Sequence, residues 1–309
     1  MSEITLPPAL IADLEHVDAL ISARASARSA VLQFVERHLV VSSGRRVRAA
    51  LTLLSAQLGR YELAQVQHAA AAVELIYAAT QVHDDLIDEA ERRRSSVSVQ
   101  RGWDGDVALM IGNYLFALAA SEMALSPDPR IIAFFSRAVM AICEGQLAPV
   151  FLAPSSDEAR AQYRARIGSR TATLFEAGCK AGMVCGAGDP QQVEALGRFG
   201  YELGMAVQTA ADVRTLEADL RRGVITLPLI EVVAATGDRS LAEVVDLPAP
   251  DEARVQAVLA AVRSAGADAR ALDQARVHCA RAAAALEGFP DTEARRQLLA
   301  VAENVVAAA

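Results

Sequence analysis

Three aspartates, Asp84, Asp85 and Asp88, form the pattern D-D-x-x-D within Glu74 to Arg94, which reads E-L-I-Y-A-A-T-Q-V-H-D-D-L-I-D-E-A-E-R-R-R. The run before them is apolar and free of turn residues, as a helix requires. Four helical residues advance about 400°, which places Asp84 and Asp88 on one face about 40° apart. Like charges one turn apart repel. A hard cation such as Mg²⁺ removes that penalty, because it takes carboxylate oxygens and keeps its other positions for water and substrate phosphates. Arg93 and Arg94, just beyond the acids, suit the same ligand, since guanidinium forks match phosphate oxygens. The stretch reads as a Mg²⁺-diphosphate site at the end of a buried helix. The plainer alternative is a solvated acidic helix end with an ion pair from Asp88 to Arg92; the apolar run ahead and the arginines behind weigh against it.

A second basic group follows the turn Ser42-Ser43-Gly44. Arg45-Arg46-Val47-Arg48 opens a helix that continues through Leu58. Arginine opposes the helix dipole at an N-terminus, so three in four residues are odd for structure alone. Together with the free backbone N–H groups they suit an anion. Further along, Asp212, Thr215 and Asp219 share a helix. Thr215 and Asp219 are one turn apart and could share a metal; the alternative is an amphipathic helix rich in short polar residues.

These residues need a helical frame, and the composition supplies one. The chain has 309 residues, 53% of them apolar and only 5% aromatic. It is rich in Ala and Arg, which favours helix. The net charge is −8 and the pI about 5.3, so no global basic field recruits nucleic acid. The four cysteines, Cys143, Cys179, Cys185 and Cys279, lack metal-ligand spacing and read as small core residues in a reducing compartment. No signal-peptide pattern opens the sequence, and no apolar run reaches the ~18 residues of a membrane span. The expectation is a soluble, cytoplasmic protein.

Along the chain, Met1 to Pro8 reads as a flexible arm, followed by a helical pattern from Ala9 to about Val40 with a break near Ser29. Tyr61 to Arg94 is one long helix. Val107 to Ala124 is apolar nearly all round and reads as a central buried helix. Ile131 to Leu152 is helical, and Ser155 with Glu158 forms a capping box. That box opens the next helix; Tyr163 to Gly186 then carries Arg170-Thr171-Ala172 and a small-residue stretch, and Val193 to Leu220 is helical. Gly197, Gly200, Gly204 and Ala206 in the latter would let neighbours approach closely. Pro228 lies in the first turn of the next helix, Leu247 to Pro250 is a linker, and three amphipathic helices close the chain. No strand pattern, repeat or low-complexity tail is present. The expected fold is all-α: a single domain over residues 1–309, with roughly a dozen helices around a central cavity.

The ordered motifs resemble those of the trans-isoprenyl diphosphate synthases, the polyprenyl synthetase family, from about Gly44 to the end. Gly44 to Arg48 resembles G-K-R-x-R-P. Val82 to Glu89 resembles the first aspartate-rich motif, and Arg93-Arg94 the start of R-R-G. Gly112-Asn113-Tyr114-Leu115 resembles G-D-Y-L. Glu144-Gly145-Gln146 matches E-G-Q, Arg170-Thr171-Ala172 matches K-T-A, and Thr226 to Leu229 matches T-L-P-L. Phe199-Gly200, Leu203-Gly204 and Gln208 match the run before a second aspartate motif. The resemblance implies an isoprenoid synthase bundle, Mg²⁺, and transfer of an allylic prenyl group to isopentenyl diphosphate. It makes Asp84 and Asp88 the principal metal ligands, supported by Asp85. It assigns Arg93 and Arg170 to the allylic diphosphate, and Arg45, Arg48 and Arg94 to isopentenyl diphosphate. A homodimer is implied, or a heteromer with a homologous synthase subunit. Small residues five and four positions before Asp84, here Ala79 and Thr80, imply a cavity deep enough for products of geranylgeranyl range, unless a deeper residue such as Ile76 blocks it.

The sequence also departs from the family. At the second motif only Asp212 remains in Ala211-Asp212-Val213-Arg214-Thr215, and the loop beyond is shortened. Val224 stands where a lysine precedes T-L-P-L, and Tyr77 replaces the usual His of the isopentenyl site. Asp212, Thr215 and Asp219 resemble instead the terpene-cyclase metal motif (N/D)-D-x-x-(S/T)-x-x-x-E, with Ala211 failing at its first position. Three readings follow: a prenyltransferase with a weakened second site, a class I terpene synthase, or a modulating subunit of a heteromeric synthase. Retention of both arginine groups favours the first.

Overall fold

The computed structural model describes residues 7–25, 46–95, 105–148, 155–246 and 251–307, and only the backbone at residues 25, 85–95, 105–108 and 246. Within these residues the chain is all-helical. Six helices form the first half: α1 (Pro8–Ala25), α2 (Val47–Gln57), α3 (Leu63–Ser95), α4 (Gly105–Ala124), α5 (Arg130–Leu147) and α6 (Ser156–Ile167). A π-helical turn, Gly168–Ala172, leads into α7 (Thr173–Cys185) and the long α8 (Pro190–Arg221). After α9 (Leu227–Thr236) comes a 3₁₀ segment, Arg239–Asp246, and then α10 (Glu252–Ala265), α11 (Ala267–Ala285) and α12 (Glu293–Ala307). Among the described residues these are twelve α-helices.

Helix α3 is the axis of the first half. Ala69 to Val73, Leu75 and Ile76 are fully buried, and α2, α4 and α7 pack around them. Four consecutive alanines, Ala69 to Ala72, let these neighbours close in, and their high helix propensity keeps the long helix continuous. Helix α8 is the axis of the second half, packed between α7 and α11. Its start is well specified. Asp189 accepts from the Gln192 N–H at 2.9 Å, the Gln192 side chain bonds back to the Asp189 N–H at 3.0 Å, and Pro190 opens the first turn. Gly200 and Gly204 seat α8 on its neighbours: a Cβ on Gly200 would lie 2.5 Å from Phe175 O, and one on Gly204 2.6 Å from Ala172 Cα. The expected close approach therefore runs along α7 and the π turn. Two apolar clusters form the core: one joins α1–α5, α7, most of α8, α11 and α12, and the other joins α6, the end of α8, α9, α10 and the start of α11.

The structure corrects one sequence expectation. Helix α4 is not buried all round. Ile111, Leu115 and Ala119 face the core, but Leu109 and Met110 are 48% and 64% exposed and Tyr114 is also exposed. The buried all-round helix is the alanine-rich part of α3. Helix α6 starts at the expected Ser155 capping box, and the π turn separates it from α7. The 3₁₀ segment carried no sequence signal. The break near Ser29 and residues 26–45 lie outside the described residues.

Candidate active site

Asp84 sits on α3 where that helix meets α5 and the π turn. Its Oδ2 accepts from Arg170 Nη2 at 3.2 Å, and its Oδ1 accepts from Gln146 Nε2 of α5. The acid of the first motif and the basic residue of Arg170-Thr171-Ala172 are thus brought together across 86 positions of sequence. Gly145 makes the approach possible: a Cβ there would lie 2.2 Å from Ser169 Oγ and 3.2 Å from Arg170 Cγ. The π turn gives the local geometry. An i→i+5 turn rotates successive side chains away from α-helical register and is frequent at functional sites. Here it lets adjacent residues face different ways. Arg170 reaches Asp84, whereas Thr171 donates to Gln208 Oε1 on α8 at 2.9 Å.

From Gln208 the network continues along α8. Gln208 Nε2 donates to Asp212 Oδ1 at 2.7 Å, and Tyr163 of α6 donates its hydroxyl to Asp212 Oδ2 at 2.8 Å. Asp212 is 5% exposed. Burial raises its pKa to about 6, although hydrogen bonds from Gln208 and Tyr163 and the nearby Arg166 charge favour the ionised form. Tyr163 is itself held in its neutral form, first by burial and then by the Asp212 charge. Helix α6 keeps Tyr163 in place through Arg160, whose Nε and Nη2 reach the two oxygens of Glu231 on α9 at 2.7 and 3.0 Å.

One turn further, Thr215 donates to Asp219 Oδ2 at 2.6 Å, and Arg222 bonds the other oxygen of Asp219. Thr215 and Asp219 are therefore adjacent, as their spacing implied, but they bond each other. Among the described residues no third acidic, histidine or cysteine side chain joins Asp212 and Asp219 in a metal-binding cluster.

Two turns before Asp84 on α3, Tyr77 meets Arg48 of α2. The Arg48 guanidinium lies 3.5 Å from the Tyr77 ring centroid and 4.7 Å from that of Phe175. Stacking between two rings holds the guanidinium flat and leaves its edge for an anion. Arg48 Nε is buried with no hydrogen-bond partner. Phe175 is a contributor that sequence reasoning missed, and the ordered triplet Arg-Thr-Ala before it was the available signal. Arg46 behaves otherwise. It adopts φ 36° at the start of α2, is buried, and pairs with Asp18 at 2.5 Å and with Glu74 at 3.9 Å. Glu74 Oε1 also takes the Ala49 N–H at 2.9 Å. The anion at this helix start is therefore the chain's own Glu74, a residue to which the sequence assigned no role. Arg46 is spent on structure.

Ala79 is fully buried beneath the acidic motif, as is Ile76, and Thr80 donates to Tyr77 O at 2.7 Å. Arg45 and the side chains of Asp85, Asp88, Arg93 and Arg94 lie outside the described residues, and the expected central cavity falls in part on them. A separate groove of about 790 Å³ between α7, α8 and α11, lined by Glu176, Arg198, Glu202 and Arg281, holds none of the predicted site residues.

The donor type at Asp84 fits a divalent cation, because Mg²⁺ takes carboxylate oxygens; in this structure its two oxygens accept from Arg170 and Gln146. Asp212 and Asp219 fit one poorly. Both are 5% exposed and engaged by protein donors, whereas Mg²⁺ keeps several waters in a near-octahedral shell.

Comparison with known proteins identifies the family. The sequence matches the family described as polyprenyl synthetase over residues 29–262. It is 30% identical to heptaprenyl diphosphate synthase component 2 of Geobacillus stearothermophilus, covering 84% of each chain. It is 30% identical to nonaprenyl diphosphate synthase of Mycobacterium tuberculosis, covering 99% of this chain and 95% of that one. The fold is similar to a crystal structure of polyprenyl synthase from Caulobacter crescentus complexed with calcium and isoprenyl diphosphate, with a TM-score of 0.86, 31% identity, and coverage of 96% and 95%. The chain belongs to the polyprenyl synthetase family of trans-prenyltransferases.

Proposed function

We propose that this protein condenses an allylic prenyl diphosphate with isopentenyl diphosphate to form a longer prenyl diphosphate, using Mg²⁺. One observation carries this reading: Asp84 of the first acidic motif meets Arg170 across the bundle at 3.2 Å, so a group suited to a metal and a group suited to a phosphate share one place. Asp84 and Asp88 are the metal ligands, with Asp85 in support. When bound, the metal neutralises charge on the departing diphosphate. Arg93 and Arg170 hold that diphosphate, and Gln208 with Thr171 keeps Arg170's turn in register. Arg48, flattened on Tyr77, holds isopentenyl diphosphate with Arg45 and Arg94. The allylic C–O bond breaks and the double bond of isopentenyl diphosphate attacks the cation. A C–C bond forms, a proton leaves the added unit, and diphosphate is released. Apolar residues along α3 and α4 keep water from the cation.

The apolar Ala79 floor supports products longer than farnesyl. Relatives named for heptaprenyl and nonaprenyl products do not single out the geranylgeranyl range. The exposed apolar residues of α4, with Ile132 and Met140 of α5, support a homodimer. The name "component 2" of one relative keeps a heteromer with a homologous subunit as a second arrangement. Helices α8 and α11 contribute to both apolar clusters, which supports one domain over residues 1–309. Among the described residues no helix is long and apolar enough to cross a membrane.

The test supplies the protein and Mg²⁺ with an allylic diphosphate, with and without isopentenyl diphosphate. A longer diphosphate is expected only with both, and Asp84→Ala should abolish it. A hydrocarbon or alcohol from the allylic substrate alone would instead identify a terpene synthase. Turnover that appears only with a homologous partner would identify a subunit.

A further inference from the structure

Helix α2 starts without a cap of its own. Its N-cap residue is Arg46, whose side chain makes no capping hydrogen bond. Ala49 is the third residue of the helix, and its N–H is one that an N-cap side chain would ordinarily accept. Glu74 of α3 accepts it instead, at 2.9 Å, so the cap is delivered from a neighbouring helix. The other Glu74 oxygen lies 3.9 Å from Arg46 Nη1, and Asp18 of α1 holds Arg46 Nε at 2.5 Å. Arg46 has φ 36° and is one of two non-glycine residues with positive φ among the described residues. Such a backbone is strained and persists only where its surroundings enforce it. Here two carboxylates hold the residue that adopts it.

The place Glu74 occupies is a costly one for a charge. Its neighbours on α3, Ala69 to Val73, Leu75 and Ile76, are fully buried and apolar, and Glu74 itself is 5% exposed. A buried carboxylate destabilises unless it is paired and hydrogen-bonded. What this one holds is the chain on both sides of Arg48. Tyr77, three positions further and on the same face of α3, has the Arg48 guanidinium 3.5 Å from its ring centroid. Residues 74 and 77 therefore grip residues 46, 48 and 49 together. The carboxylate fixes where α2 begins, and the ring fixes how Arg48 lies. Arg48 Nε is buried with no hydrogen-bond partner, so the direction of this side chain depends on the stack and on the backbone that carries it.

We propose that Glu74 is a positioning residue of the isopentenyl diphosphate site: by capping α2 from α3 and clamping Arg46, it sets the direction in which Arg48 meets the diphosphate. Arg46 is neutralised by Glu74 and Asp18 and adds nothing to the ligand. This inference rests on the reading of Arg48 as an isopentenyl diphosphate ligand.

The test compares two variants. Glu74→Leu removes cap and clamp and keeps an apolar side chain in an apolar layer. Glu74→Gln keeps an acceptor for the Ala49 N–H and gives up the charge facing Arg46. Arg48→Gln is measured beside them. The readouts on the full chain are calorimetric titration of isopentenyl diphosphate, the KM of each substrate, and thermal unfolding by circular dichroism. Glu74→Leu should weaken isopentenyl diphosphate about tenfold, and Glu74→Gln about threefold, while the allylic KM stays within about twofold. A changed melting temperature with unchanged isopentenyl diphosphate affinity overturns the proposal, because it makes Glu74 a stabilising residue only. An equal rise in both KM values overturns it too. If Glu74→Leu does not fold, Glu74→Gln carries the comparison, and wild-type affinity there overturns the proposal equally. Wild-type affinity in Arg48→Gln would sink the Arg48 reading and this inference with it. Loss in Arg48→Gln with wild-type affinity in Glu74→Leu sinks the Glu74 inference alone.

Discussion

Replacing Asp212 by Asn should make this protein more stable at neutral pH. The side chain is buried and its pKa is raised from 3.8 to about 6, chiefly by burial. A difference of about two pKa units corresponds to about 3 kcal/mol at 1.36 kcal/mol per unit. Between about pH 4 and pH 6 the folded chain holds a proton that the unfolded chain has lost, so stability falls as pH rises through that window. Below it both states are protonated, and above it the full cost of the buried charge remains. Asparagine keeps the geometry: its oxygen can accept from Gln208, and its amide can donate to the Tyr163 hydroxyl. It gives up the attraction to Arg166, so the net gain should be about 1–3 kcal/mol above pH 7, or about 2–6 °C in melting temperature for a chain of this size. Thermal unfolding by circular dichroism, in chelator-treated buffers from pH 4.5 to 8, measures the gap between variant and wild type. The gap should be small at pH 4.5, open toward pH 6 and stay level above it. A variant that melts lower at pH 8, or a gap that ignores pH, would refute the reasoning.

Three further outcomes follow from the site. Ala79→Phe fills the fully buried position beneath the acidic motif, so product analysis should show shorter chains; an unchanged length distribution removes that residue from the floor. Gly145→Ala places a Cβ 2.2 Å from Ser169 Oγ and must push the π turn that carries Arg170. The expected cost is about 1–3 kcal/mol in denaturant unfolding, with a disproportionate fall in kcat, and a fully active variant would show that the contact is slack. Tyr77→Leu removes one of the two rings against Arg48, an interaction of about 1 kcal/mol. The KM for isopentenyl diphosphate should rise about fivefold, in line with RT ln 5, while that for the allylic substrate stays put. An equal change in both would place Arg48 elsewhere.

Much of this molecule is legible in its amino-acid order because helices are local. The capping box at Ser155, the glycines of α8 and the alanine run of α3 act within a few residues of themselves, and each produced the expected element. The D-D-x-x-D spacing likewise states its chemistry through residue type and helical period, whereas the Arg-Thr-Ala triplet and the small pair Ala79 and Thr80 take their reading from the family resemblance. What depends on contacts between distant segments was not legible. Local periodicity cannot say whether an apolar helix such as α4 lies inside or at the surface, since this depends on which neighbours reach it. Nor could it show that Glu74 would claim Arg46 and Ala49 from 25 or more positions away. The π turn separated Arg170 from Thr171, turning one toward Asp84 and the other toward α8. The sequence by itself determined an all-helical bundle with a carboxylate-arginine site and a second motif missing its first acid. Tertiary structure decided what became of that second motif: burial raises the cost of a naked carboxylate, so Asp212 and Asp219 take hydroxyl, amide and guanidinium partners from α6 and from α8 with its C-terminal cap.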